Sequence, residues 1–152
     1  MRLPLTAVAF GLATMTAPVA LAQDQVTIGI TQNNVGVDSY QTTYEQAFEE
    51  YAAGFDNVET VVLDAGGDVA RQIAQMQDLI QQQVDAIIIW PTNGKAVVPV
   101  VRQAHQAGIP VVVTNSKIAE DGYDFIASFS GPDNITQGRY SAEMMCDALG
   151  GE

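Results

Sequence analysis

A chain of 152 residues suffices for one ordinary domain and is too short for two full-sized ones. With 47% hydrophobic and 16% charged residues, a packed core is within reach and the composition argues against disorder. Eighteen acidic residues against six Lys and Arg give a formal charge of −12, which speaks against nucleic acid and against an anionic membrane surface as partners. One Cys and one His leave no Cys/His metal cluster and no disulfide framework within the chain.

Met1-Arg2 makes a short positive start, Leu3 to Leu21 is apolar and uncharged, and Ala20-Leu21-Ala22 is a small-x-small cleavage site before polar Gln23-Asp24-Gln25. This is the layout of a secretory signal peptide over residues 1–22. Pro4 and Pro18 interrupt the stretch, which disfavours a membrane anchor, and no Cys stands at the cut to carry a lipid. The expected organisation is therefore a leader, 1–22, and one exported segment, 23–152.

From there strand and helix alternate. Val26 to Thr31 is a β-branched run. Ser39 to Gly54 places Tyr40, Tyr44, Ala47, Phe48 and Tyr51 on one helical face. Val58 to Asp64 reads as the second strand, and Asp68 as the N-cap of a helix over Val69 to Gln83. That helix is expected to bury Val69, Ile73, Met76, Leu79 and Ile80, with Val84 beyond it, and its glutamines fall mostly on the other face. Ala86 to Trp90 is a continuous apolar strand, as expected of a strand covered on both sides. Pro91 to Gly94 breaks it. Lys95 to Ala107 follows as a helix buried through Val97, Val98, Val101 and Ala104. Pro110 to Thr114 and Phe125 to Phe129 are the fourth and fifth strands. A last helix over Asn134 to Leu149 opens on Asn134 with Gln137 three residues on, a capping-box spacing. The alternation predicts an α/β fold with a doubly wound parallel sheet. The sequence stops directly after this helix, where such a domain is expected to continue into another strand.

Several chemistries find no motif. The turn after the first strand, Gln32 to Gly36, lacks the spaced glycines of a dinucleotide fingerprint. Gly94-Lys95 resembles the end of a phosphate loop, but Ile89 stands at its first glycine and Ala96 replaces Ser/Thr. There is no Gly-x-Ser-x-Gly elbow. No catalytic residue, metal or cofactor is expected. His105 reads as an exposed or partly packed helix residue and Cys146 as a buried thiol, with a partner Cys outside this chain as the minority reading. Asp38, Asp68 and Asp133 read as helix caps or first-turn residues.

In open α/β sheets ligands sit beyond the carboxyl ends of the strands. Those ends are rich in Asn, Ser, Thr and Asp and poor in cations, which suits a neutral polar guest better than a phosphate. Trp90, the single Trp, is read both as a core residue and as an apolar platform for a sugar ring.

Val26 to Thr31 with Asn33-Asn34, Val61 to Asp64, Gln75-x-x-Asp78-Leu79-Ile80 leading to Val84 to Ile89 and Pro91, Ala107 to Val112, and Asp133-Asn134 with Gly138 together resemble the type I periplasmic sugar-binding proteins, the ribose-binding-like receptors of ABC importers. The resemblance implies that residues 23–152 are the N-terminal lobe of a two-lobed receptor whose second lobe is missing from this chain. It implies a sugar or polyol held between the lobes and passed to a membrane permease. It places the family's Asn after the first strand at Asn34, its acidic residue after the fourth strand at Asn115 and the neighbouring Arg at Ser116. Two aromatics that sandwich the sugar would fall on Gly36 and Val37, and neither is aromatic. The candidate ligand contacts are thus Asn33, Asn34, Trp90, Asn115, Ser116 and Asp133. A ligand-sensing receptor of the same fold is the alternative function, and an exported α/β enzyme the more remote one.

Overall fold

The computed structural model describes residues 24–151; the leader at 1–22 lies outside the described residues. The elements are β1 (Val26–Gln32), α1 (Ser39–Ala52), β2 (Val58–Asp64), α2 (Val69–Gln81), β3 (Ala86–Ile89), α3 (Val98–Gln106), β4 (Val111–Thr114), a 3-10 helix (Glu120–Phe125), β5 (Ser128–Ser130) and α4 (Asn134–Ala148). All five strands are parallel, in the order β2-β1-β3-β4-β5. The chain runs outward from β1 to β2 and then returns past β1 to β3. Right-handed crossovers accordingly put α1 on one face of the sheet and α2 and α3 on the other. The reversal between β1 and β3 is the topological switch point, where such sheets open a crevice at their carboxyl rim.

The α2–α3 face is closed. Ile87, Ile89, Val111 and Val113 point into it and are fully buried, together with Met76, Leu79, Val97, Val101 and Ala104 from the helices. Each Ile, Val, Leu or Met side chain so removed from water contributes on the order of 1.5–3 kcal/mol. Contact is close enough that β1 carries Gly29 beneath α2: a Cβ there would lie 2.5 Å from a Leu79 methyl. The other face is less evenly covered: Ile30 is buried, while Ile28, Ile88 and Val112 on the same side are only partly covered. Gln41 is the one buried residue of α1, and α4 has none.

Several boundaries depart from the sequence expectation. β3 ends at Ile89, leaving Trp90 just past it. α2 stops at Gln81. α3 begins at Val98, because Asn93 Oδ1 accepts from the Lys95 and Ala96 amides and holds a separate turn ahead of it. Phe125 ends the 3-10 helix, so β5 starts only at Ser128. Asp133, not Asn134, caps α4: its carboxylate accepts from the Thr136 amide and hydroxyl, and Gln137 takes no part in a capping box. Cys146 is exposed rather than buried, since α4 as a whole packs against little.

Candidate functional site

At the carboxyl rim, over the switch point, lies a cleft of about 780 Å³. Its floor and one wall are aromatic. Trp90 leaves the end of β3 and is 5% exposed. It is held between two tyrosines one turn apart on α1, each meeting it edge to face: Tyr40 at 5.7 Å between ring centroids and 86°, Tyr44 at 5.8 Å and 79°. Edge-to-face packing sets the positive ring edge against a negative face and fixes the relative orientation. Tyr40 remains 57% exposed and lines the cleft.

The opposite wall comes from the ends of β4 and β5. Asn115 follows β4 with φ of 58°, a left-handed conformation that asparagine adopts more readily than most side chains. It is pinned there: its amide donates to Ser130 O at 2.8 Å, and Gly131 lies so near that a Cβ would meet the Asn115 Cα at 2.9 Å. Across the cleft, the Tyr40 hydroxyl donates to Asn115 Oδ1 at 3.2 Å. Ser130, Pro132 and Gln137 complete that wall, and Asp38 borders the other side.

A buried amide positions the floor. Gln72 of α2 is fully buried; its Nε2 donates to Trp90 O at 2.9 Å and its Oε1 accepts from the Thr92 amide at 2.8 Å. The turn through Pro91 is thereby clamped on both sides. One turn on, Gln75 accepts from the Thr31 hydroxyl at 2.7 Å and donates to Asp64 O at 2.8 Å, tying the rims of β1 and β2 together. These two glutamines face the sheet, against the expectation that the helix turns its glutamines outward. Gln81, Gln82 and Gln83 are exposed as expected.

The candidate contacts separate. Trp90 and Asn115 line the cleft. Asn33 and Asn34 share the rim but not the lining. Asn33 Oδ1 accepts from the Asn34 amide at 2.8 Å and from Gln41 Nε2 at 3.3 Å, which ties the loop to α1. Asn34 Oδ1 lies toward Gly67, on the β2 side. Ser116 makes a tight turn, its amide donating to Thr114 O at 2.6 Å. Asp133 caps α4, as Asp38 caps α1 and Asp68 caps α2. The Thr136 hydroxyl and amide hold the Asp133 carboxyl below its ordinary value, and the Arg71 and Ala70 amides do the same for Asp68. The sequence places Tyr40 and Tyr44 on one face of the first helix but not at the ligand site, and gives Gln72 no role. The signal for the tyrosines was present as an i, i+4 aromatic pair directly after the first rim loop; a buried glutamine among exposed ones leaves no such mark.

Electrostatically the cleft holds no cation among its lining residues, and Asp38 is its one charged group. Lys117, near the rim, lies over the Phe129 ring at 5.8 Å. Among the described residues no group of three or more His, Cys, Asp or Glu is arranged to hold a metal ion. What remains is a mixed surface of aromatic rings, amides and hydroxyls with the Asp38 carboxylate at its edge.

Residues 28–152 match the periplasmic binding protein domain. The chain belongs to that family. It is 33% identical over 133 residues to a xylitol-binding protein of Mycolicibacterium smegmatis, covering 88% of this chain and 36% of that one. It is 36% identical over 93 residues to the ribose import binding protein of Bacillus subtilis, covering 61% of this chain and 30% of the relative. Among solved structures, the fructose-binding periplasmic domain of a hybrid two-component system superposes with a TM-score of 0.76 at 26% identity, over 84% of this chain and 41% of that one. An ABC transporter solute-binding protein from Bacillus halodurans with bound myo-inositol gives 0.64 at 32% identity, over 72% and 37%. The chain thus spans about a third of the length of the curated relatives it matches. The parallel α/β sheet expected from sequence and the sugar-binding character of the family both stand.

Proposed function

We propose that this chain supplies the N-terminal lobe of a periplasmic receptor that captures a neutral sugar or polyol and delivers it to the permease of an ABC importer. The leader at 1–22 sends it there, and the protein performs no catalytic step. The observation that carries this reading is the cleft at the switch point: an aromatic floor, amides and hydroxyls on the walls, Asp38 at one edge, and no cation among its lining residues to hold a phosphate or a carboxylate. Xylitol, ribose and myo-inositol, named for the relatives, share those needs. Asn33, Asn34, Ser116 and Asp133 remain proposed contacts beside Trp90 and Asn115, reached by a guest that extends along the rim or by closure of a second lobe.

Capture by hinge closure requires contacts that exist only when both lobes meet the guest. Residues 23–152 alone, folded by circular dichroism, are therefore expected to bind far more weakly than the protein from its complete reading frame. Isothermal titration with xylitol, D-ribose, D-xylose and myo-inositol checks both. Equal, tight affinity in the fragment refutes the two-lobed mechanism, and no binding of any of the four by the complete protein refutes the ligand class. The likeness to the periplasmic domain of a two-component system supports a second reading, in which the closed receptor is sensed rather than unloaded. Uptake of labelled ligand lost on deletion of the gene favours transport; intact uptake with lost transcriptional response favours sensing.

A further inference from the structure

We infer that Gln41 is a positioning residue of the cleft: it holds the loop 33–38 in the shape that sets the β1 side of the rim. This deepens the ligand reading above, and its effect on affinity rests on that reading.

The one residue that α1 buries is a glutamine, 5% exposed. A buried amide is costly unless its polar ends find partners, and both ends of this one find them in the loop. Nε2 donates to Asn33 Oδ1 at 3.3 Å, and Oε1 accepts from the Val37 amide at 3.3 Å. The Gln41 backbone amide donates to Asp38 Oδ1 at 2.8 Å. A single residue thus ties down the beginning and the end of the loop. Its middle is held in the same manner. Asn33 Oδ1 also accepts from the Asn34 amide at 2.8 Å, and Glu45, one turn beyond Gln41, accepts from the Gly36 amide at 3.1 Å. Packing contributes little there: Gly36 has a φ of 64°, a Cβ on it would meet nothing within 4 Å, and Val37 is 69% exposed. A segment with few buried apolar contacts opens at small cost unless its hydrogen bonds hold it. The loop ends at Asp38, on the border of the cleft, and runs directly into the first turn of α1. Fixing its path before a guest arrives removes an ordering cost from binding.

The test is made in the protein from its complete reading frame, by amide hydrogen exchange and by isothermal titration with xylitol, D-ribose, D-xylose and myo-inositol. Gln41→Leu keeps the bulk and removes both side-chain hydrogen bonds. It is expected to speed exchange over residues 33–38 about tenfold or more while leaving the β1 and β3 amides unchanged, and to weaken every probe that wild type binds about three- to tenfold. The unliganded melting temperature is expected to move little, because water replaces the lost partners of an exposed loop. Gln46→Leu, at an exposed position of the same helix, is expected to change neither exchange nor affinity. Should Gln41→Leu unfold the protein, Gln41→Met makes the same comparison. Unchanged loop exchange, an equal acceleration in Gln46→Leu, or an acceleration spread equally to β1 and β3 overturns the inference while leaving the ligand class intact. Faster loop exchange with unchanged affinity overturns it as well, since the loop then does not shape the site. If wild type binds none of the four probes, the ligand reading fails, and the exchange measurement by itself still decides whether Gln41 holds the loop.

Discussion

The two faces of the sheet are built from similar β-branched strands and end up differently. Facing α2 and α3, Ile87, Ile89, Val111 and Val113 are sealed, and Gly29 lets Leu79 settle directly on the backbone. Facing α1, Ile30 is buried at the centre, but Ile28, Ile88 and Val112 are half-covered, Val62 is 37% exposed, and α4 buries no residue. The closed face carries the stability of the lobe. The open face carries α1, and with it the aromatic residues of the cleft. A rigid side that supports a binding side is what a receptor surface requires, because the rim residues need fixed positions while their own surfaces stay free.

The largest effect expected from this contrast comes from the cores themselves. Leu79→Ala is expected to destabilise by about 3–4 kcal/mol, since the void under α2 has little room to relax, whereas Val62→Ala on the open face should cost under about 1 kcal/mol. Urea denaturation measures both; similar losses would erase the distinction between the faces.

Next comes Gln72→Leu, which strands the Trp90 carbonyl and the Thr92 amide and is expected to cost about 2–3 kcal/mol. The same change at exposed Gln46 of α1 should be near neutral. Ligand affinity is expected to fall with Gln72→Leu as well, because the Trp90 floor loses its clamp.

The caps sharpen the comparison at smaller scale. Asp68→Ala opens α2, a packed helix, and is expected to lower the melting temperature by a few degrees. Asp133→Ala opens α4, which rests on little, and should lower it less. Both carboxyls are held below their ordinary value by hydrogen bonds present only in the folded state. Their stabilisation is therefore complete above the ordinary carboxylate range, about pH 4, and is lost as pH falls through the depressed folded values. Melting curves in acid should accordingly show wild type converging on the Asp68→Ala variant. The smallest effect concerns Cys146: a thiol reagent is expected to label it in the folded chain without denaturant, with no change in melting temperature.

Much of the fold was legible because its signals are local. Continuous apolar runs mark parallel strands, and Asp38 and Asp68 announce the helices they cap. The rim was legible too, since a parallel sheet brings the ends after β1, β3 and β4 to one side whatever the details. Boundaries drifted where two neighbouring residues competed for one role. Asp133 and Asn134 both suit a cap, and only the path of the chain shows which carbonyl and amide are in reach. Cys146 looked buried because its neighbours are apolar, yet an apolar helix is covered only if something lies against it.

Composition, periodicity and capping by themselves determined the class of fold, the parallel topology and the cation-poor nature of the rim, because each follows from forces acting over a few residues. Tertiary structure decided which side chains meet. Tyr40, Trp90 and Asn115 stand on three separate elements, and Gln72 reaches across from a fourth. Their contacts depend on sheet order and crossover side, and those arise only when distant segments pack.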